Sequence, residues 1–157
     1  MKKITCKFGG SSLADAAAIL RVVDIIQADE SRRFIVPSAP GKRAPDDKKI
    51  TDLLLGWFHM TQDDLDPKQP IEIVEGRYVE LVEALDSTLD FQAEIAAMAA
   101  NVADYTIPDY LISRGEYLNG RLIAERLNAD FVDPAEFIKF DFEGRLDPVS
   151  YDRLGER

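Results

Sequence analysis

Lys7-Phe8-Gly9-Gly10-Ser11-Ser12 decides how the rest of this chain is read. Residues 2–8 read as a strand that runs straight into the two glycines. Ser12 then caps a helix, with Asp15 three residues later as its capping-box partner. Leu13, Ala16, Ala17, Leu20 and Val23 recur at helical spacing, and Ile19, Val22 and Ile26 widen that stripe, so the helix packs on a sheet. Residues 33–39 form a second strand around the apolar run Phe34-Ile35-Val36. Strand, helix and strand make a crossover unit, which predicts adjacent parallel strands with a right-handed connection. In open α/β sheets ligands bind beyond the carboxyl ends of the strands, where Gly9-Gly10 and Ser38-Ala39 both fall.

Downstream, residues 40–47 are a loop rich in proline, glycine and charge. A helix is expected from about 48 to 60, then a polar connection over 63–69. Pro70 suits the first turn of the next helix, whose stripe is Ile71, Val74, Tyr78, Leu81 and Leu85. Gly76 weakens it by up to ~1 kcal/mol relative to alanine. A further helix carries Phe91, Ile95, Met98 and Val102. Three helices in a row depart from simple alternation and suggest a helical excursion on the sheet. Thr106 caps another helix, with Asp109 in the box position, running to about 127. Short strands are expected at 130–133 and 137–140, and a turn at 141–145.

The bulk numbers bound the function. With 157 residues, 46% hydrophobic and 31% charged, the chain has the balance of one soluble domain with a real core. Its apolar runs fall far short of the ~18 residues of a membrane span, and no signal-peptide pattern is visible. The net charge of −10 argues against a nucleic-acid partner. Any phosphate site must therefore rest on local backbone N–H groups and one or two cations. The basic cluster Lys42, Arg43, Lys48 and Lys49 reads as a solvated loop. The single cysteine, Cys6, reads as a small buried strand residue and fits a reducing cytoplasm. His59 sits mid-helix near no other motif, and Trp57 reads as core.

Two places could carry chemistry. Glycines let a backbone approach a phosphate closely, a helix N-terminus offers unpaired N–H groups and a positive dipole end, and Lys7 adds a full charge. This is not a Walker A loop, which needs Gly-Lys-Ser/Thr after a first glycine and four residues. On these residues alone, the alternative is a plain tight connection. The second place is Glu116. Ser113, Glu116 and Gly120 lie at i, i+3 and i+7 and share one helix face. Gly120 clears space one turn beyond the carboxylate, so this face borders a cavity; a solvated face is the alternative. Arg114 points elsewhere and is a salt-bridge partner. No metal cage is evident.

Taken in order, these segments resemble the aspartate kinases of the amino acid kinase superfamily. The hexapeptide at 7–12 is similar to the opening motif of that family. Val36-Pro37-Ser38-Ala39, followed by Ile50-Thr51-Asp52-Leu53-Leu54, resembles its second segment. Ser113-Arg114-Gly115-Glu116-Tyr117-Leu118 resembles its Gly-Glu helix, and Asp130-Phe131-Val132-Asp133 and the Gly144-Arg145 turn also fit. The likeness covers nearly the whole chain, although the 40–49 loop is longer than usual and Pro40 replaces a small residue.

The resemblance implies an α/β fold, a three-layer α/β/α sandwich with a mostly parallel sheet, here an incomplete amino acid kinase fold. It implies ATP-dependent phosphorylation of the β-carboxylate of L-aspartate to 4-phospho-L-aspartate, with Mg2+ on the ATP phosphates, towards lysine, threonine and methionine. Lys7 would sit on the transferring phosphoryl group, and the N–H groups of Gly9, Gly10 and Ser11 would hold phosphate oxygens. Ser38 and Ala39 would line the substrate site, Thr51 would offer its hydroxyl, and Glu116 would accept from the substrate ammonium. A cytoplasmic homo-oligomer is implied. The family's catalytic domain is longer, so residues 1–157 are expected to be its N-terminal, amino-acid-substrate lobe, without nucleotide lobe or ACT domains and inactive alone. Two other readings stay open: a kinase for glutamate, acetylglutamate or a nucleotide, or a non-catalytic piece that dimerises or binds a partner through an open sheet edge.

Overall fold

The computed structural model describes residues 2–155. Strand β1 (Ile4–Phe8) pairs in parallel with β2 (Arg32–Pro37), Lys7 opposite Val36 and Phe8 opposite Pro37. Between them run a short 3₁₀ helix (Gly10–Leu13) and helix α1 (Ala16–Gln27). Helices α2 (Ile50–Gln62), α3 (Lys68–Ala84) and α4 (Phe91–Asn101) follow without an intervening strand. Then come a 3₁₀ turn (Val102–Asp104), the long α5 (Asp109–Leu127), and the short α6 (Pro134–Phe137) and α7 (Val149–Gly155). The expected α/β class, with its parallel sheet and helical excursion, is what the chain adopts. No helix among the described residues is long and apolar enough to cross a membrane.

Strand periodicity sets which way the sheet faces. Phe8 and Ile35 pack against the core, whereas Phe34 and Val36 are about half exposed. Helix α5 lies against β2, α1 and α2; α2 packs on α3, and α3 on α4. The core is built at these crossings. Trp57, Tyr78, Phe91, Leu111, Leu118 and Leu122 are all fully buried, each contributing about 1.5–3 kcal/mol of transfer free energy. Two glycines on α5 permit the close approach. A Cβ at Gly115 would stand 3.0 Å from Ala39 Cβ and 3.0 Å from Ile50 Cγ2, and one at Gly120 would stand 3.0 Å from the Phe131 ring.

Several local expectations are corrected. Asp15, not Ser12, caps α1: its Oδ1 accepts from the Ala18 N–H at 2.7 Å. Ser12 is held inside the 3₁₀ turn, because Leu13 is drawn fully into the core and the chain tightens to bury it. Thr106 does not cap α5, which starts behind Pro108 with no side-chain cap. Proline fixes φ at a helical value and restricts the residue before it, so the start moves past Ile107. Neither 130–133 nor 137–140 forms a strand. Asp133 instead caps α6, accepting from the Ala135 N–H at 3.0 Å, with Pro134 in the first turn. Between α6 and α7 the described residues pair only in an isolated bridge, Phe140 with Leu146.

Candidate functional site

Parallel strands end on the same edge, so the turns after β1 and β2 meet. The Ser38 N–H donates to the Phe8 carbonyl at 2.9 Å, extending the ladder one residue past β2. From there α5 takes hold of the exit of β2 at two atoms. Ala39 N–H donates to Glu116 Oε1 at 3.3 Å, and Asn119 Nδ2 donates to the Ser38 carbonyl at 2.6 Å. Glu116 and Asn119 are three apart and share a face. Gly115, beside them, lets that face press onto Ala39.

The glycine turn is fixed from the other side. The Gly9 carbonyl accepts from Ser12 N–H at 3.0 Å, and the Gly10 carbonyl accepts from Gly41 N–H at 2.8 Å. In a trans peptide the N–H points opposite to the carbonyl of the preceding residue. With both carbonyls turned inward, the N–H groups of Gly10 and Ser11 are aimed the other way. A Cβ on Gly10 would lie 2.9 Å from the Ala39 carbonyl, so this turn touches the exit of β2 directly.

Gly10, Ser38, Ala39 and Glu116 are thus brought together. Thr51 lies in the first turn of α2, next to Ile50, whose Cγ2 reaches Gly115. Lys7 is apart from this cluster. It is exposed on the open face of the sheet beside Val36, and makes no ion pair or hydrogen bond among the described residues. The reading of Gly120 is corrected: Phe131 fills the space it clears, and Glu116 borders neither of two hollows on the described surface. Those hollows, of about 280 and 270 Å³, lie beside Asp15 and Arg77, and beside Tyr110 and Arg114. The site is an open corner at the sheet edge. Arg114 is buried as a salt-bridge partner, 3.0 Å from Asp133 and 4.4 Å and 4.6 Å from the Tyr110 and Tyr117 ring centres.

Sequence reasoning missed Asn119 and Gly41. Asn119 is fully buried between Leu118 and Gly120, and its Oδ1 has no hydrogen-bond partner among the described residues. A polar residue three past Glu116, beside apolar positions, was its signal. Gly41 had no signal beyond its place in the loop.

The 40–49 loop is not simply solvated. Asp47 accepts from the Arg43 N–H at 3.0 Å and from Arg43 Nε at 3.1 Å, and lies 3.5 Å from Arg77. Arg43 also pairs with Glu80 at 2.6 Å. The bond from the Arg43 N–H, with the Arg43 and Arg77 charges, lowers the Asp47 carboxyl from 3.8 to about 2. A carboxyl lowered by folding stabilises above its unfolded pKa and loses that contribution as pH falls through the folded one. Asp47→Asn is therefore expected to flatten the fall in stability between about pH 4 and pH 2. Urea unfolding across that range checks it; an unchanged slope would remove Asp47 from the role.

Comparison with known proteins bears on the family and the fold. A family model described as the amino acid kinase family matches residues 2–156. Aspartokinase 3 of Bacillus subtilis (strain 168) is 51% identical over 49 residues, which are 31% of this chain and 11% of that protein. The crystal structure of Clostridium acetobutylicum aspartate kinase superposes with a TM-score of 0.93 at 40% identity, over 100% of this chain and 36% of that one. Escherichia coli aspartokinase III in complex with aspartate and ADP superposes at 0.76 and 24% identity, over 99% and 37%, a likeness of fold. The chain therefore spans little more than a third of the solved structures it matches.

Proposed function

This chain belongs to the amino acid kinase family, and from that premise we propose that it forms the aspartate-binding side of an ATP-dependent aspartate kinase. The observation that carries the reading is the corner where Glu116 and Asn119 hold Ser38 and Ala39 against the Gly10 turn. The likeness to an aspartate kinase over the full chain supports it. So does the aspartate and ADP held by a relative of the same fold. The reaction moves the terminal phosphoryl group of ATP to the side-chain carboxylate of aspartate and releases ADP.

Each residue then has a role that follows from its place. Glu116 carries a negative charge at the corner and one of its oxygens is engaged by Ala39 N–H; it accepts from the aspartate ammonium. Ser38 and Ala39 line the same corner, and Thr51, in the first turn of α2, offers its hydroxyl to the substrate. The outward N–H groups of Gly10 and Ser11, with that of Gly9, hold phosphate oxygens, and they are fixed in advance. Lys7, which has no ion pair among the described residues, supplies the mobile positive charge for the transferring group. Catalysis here is positioning plus neutralisation of charge. Among the described residues no group of three or more His, Cys, Asp or Glu side chains is gathered to hold a metal ion; Mg2+ would come on the ATP phosphates, and no step is assigned to it.

In this reading residues 1–157 are the amino-acid-substrate lobe, and the nucleotide lobe is supplied elsewhere. A coupled ADP-release assay tests it. A polypeptide carrying this chain within a complete catalytic domain should turn over with aspartate, and the 157-residue chain alone should not. Turnover with glutamate or acetylglutamate in place of aspartate would overturn the substrate, and clear turnover by the chain alone would overturn the division into lobes.

A further inference from the structure

Arg77 is a charged side chain in a helix that contributes nothing to the proposed site, yet only 4% of it is exposed. Its guanidinium donates to three backbone carbonyls on two segments: Gly41 at 2.6 Å and Lys48 at 3.1 Å in the 40–49 loop, and Ala14 at 3.4 Å ahead of α1. Asp47 stands 3.5 Å away as counter-charge. Such an array needs the planar fork of arginine, since the single nitrogen of lysine cannot reach three diverging carbonyls. One of those contacts leads onward. Gly41 passes its own N–H to the Gly10 carbonyl, and a Cβ on Gly41 would stand 2.5 Å from both the carbonyl carbon and the oxygen of Gly10. The two backbones touch, so a shift of Gly41 is a shift of Gly10.

We propose that Arg77 is a positioning residue that sets the Gly9–Gly10–Ser11 turn for phosphate by fixing Gly41. The proposal rests on the phosphate reading given above and adds the device that holds the turn ready. Arg77 touches no substrate atom. By anchoring the 40–49 loop to α3 and to the start of α1, it keeps the Gly10 carbonyl engaged and the following N–H groups turned outward. It explains why the longer loop, rich in charge, is tied down rather than loose.

Two variants act at different links of the relay. Arg77→Lys keeps the charge and removes the fork. Gly41→Ala leaves Arg77 in place and forces the two backbones apart. Amide hydrogen exchange on the 15N-labelled chain, without ligand, reads the Gly41 N–H directly. Titration with inorganic tripolyphosphate, followed at the Gly10 and Ser11 amides, reads the turn. Both variants should raise amide exchange at position 41 at least tenfold while Leu54 and Leu118 amides stay as in the wild type, and both should raise the tripolyphosphate midpoint at least tenfold. An unchanged midpoint overturns the proposal even where Gly41 loosens, and so does a rise in exchange shared equally by Leu54 and Leu118. A wild-type chain whose Gly10 and Ser11 amides ignore tripolyphosphate overturns the phosphate reading itself. The ligand-free exchange separates that failure from a failure of the relay.

Discussion

Lys7→Ala is expected to lower kcat by two to three orders of magnitude in a catalytic domain carrying this chain, with almost no change in stability. The two halves of that expectation have separate grounds. Removing one preorganised group that faces developing charge costs about 10²–10³ in rate. Lys7 is exposed and has no ion pair or hydrogen bond among the described residues, and its cross-strand neighbour Val36 is itself half exposed. Substitutions at such surface positions change stability by about 0.5 kcal/mol or less. If the charge acts only on the transferring group, kcat and kcat/KM fall together and KM for aspartate holds. Steady-state kinetics and urea unfolding of the same variant check it. Near-normal kcat would take Lys7 out of the mechanism, and a large loss of stability would show that its contacts had been misread.

How much of this was legible without a structure depends on range along the chain. The strand–glycine–helix opening was legible because it is local: apolar strand, two glycines and a helical stripe, all within the first 27 residues. Glu116 was legible through its motif. What held it there was not. The bonds from Ala39 to Glu116 and from Asn119 to Ser38 join residues 77 and 81 apart, and no periodicity encodes which backbone atoms will be adjacent. Gly41 meeting Gly10 is of the same kind. The errors in helix starts had a different cause. At Ser12 and Thr106 a competent capping residue was present, but burial of Leu13 in one case and the restriction ahead of Pro108 in the other moved the start. The strands expected at 130–133 and 137–140 failed because short apolar runs do not choose between strand and loop without a partner strand. Here Asp133 was committed to Arg114 and to capping α6.

Tyr78 shows the opposite balance to Lys7, and Tyr78→Ala is expected to cost about 4 kcal/mol of stability, as large aromatic truncations in cores do. The side chain is fully buried, meets the Phe91 ring edge-on at 5.6 Å, and donates its hydroxyl to the Gly115 carbonyl at 2.7 Å. Burial, and then the nearby Glu116 carboxylate, push the hydroxyl well above its ordinary range. Both favour the neutral hydroxyl that donates to Gly115. Tyr78→Phe separates ring from hydroxyl. It keeps the packing and loses one buried hydrogen bond, about 1 kcal/mol, since a mid-helix carbonyl retains its own bond within the helix. Set against a total stability of about 5–15 kcal/mol, the first substitution threatens the fold and the second does not. The second is thus the informative one for function. The Gly115 carbonyl precedes Glu116 by one residue, so freeing it loosens the carboxylate proposed to bind the aspartate ammonium. KM for aspartate should rise severalfold in Tyr78→Phe while kcat changes less. Urea unfolding of both variants and aspartate titration of the second decide the matter: a Tyr78→Ala loss below about 1 kcal/mol would mean that the core relaxes around this ring, and an unmoved KM in Tyr78→Phe would confine α3 to holding the fold.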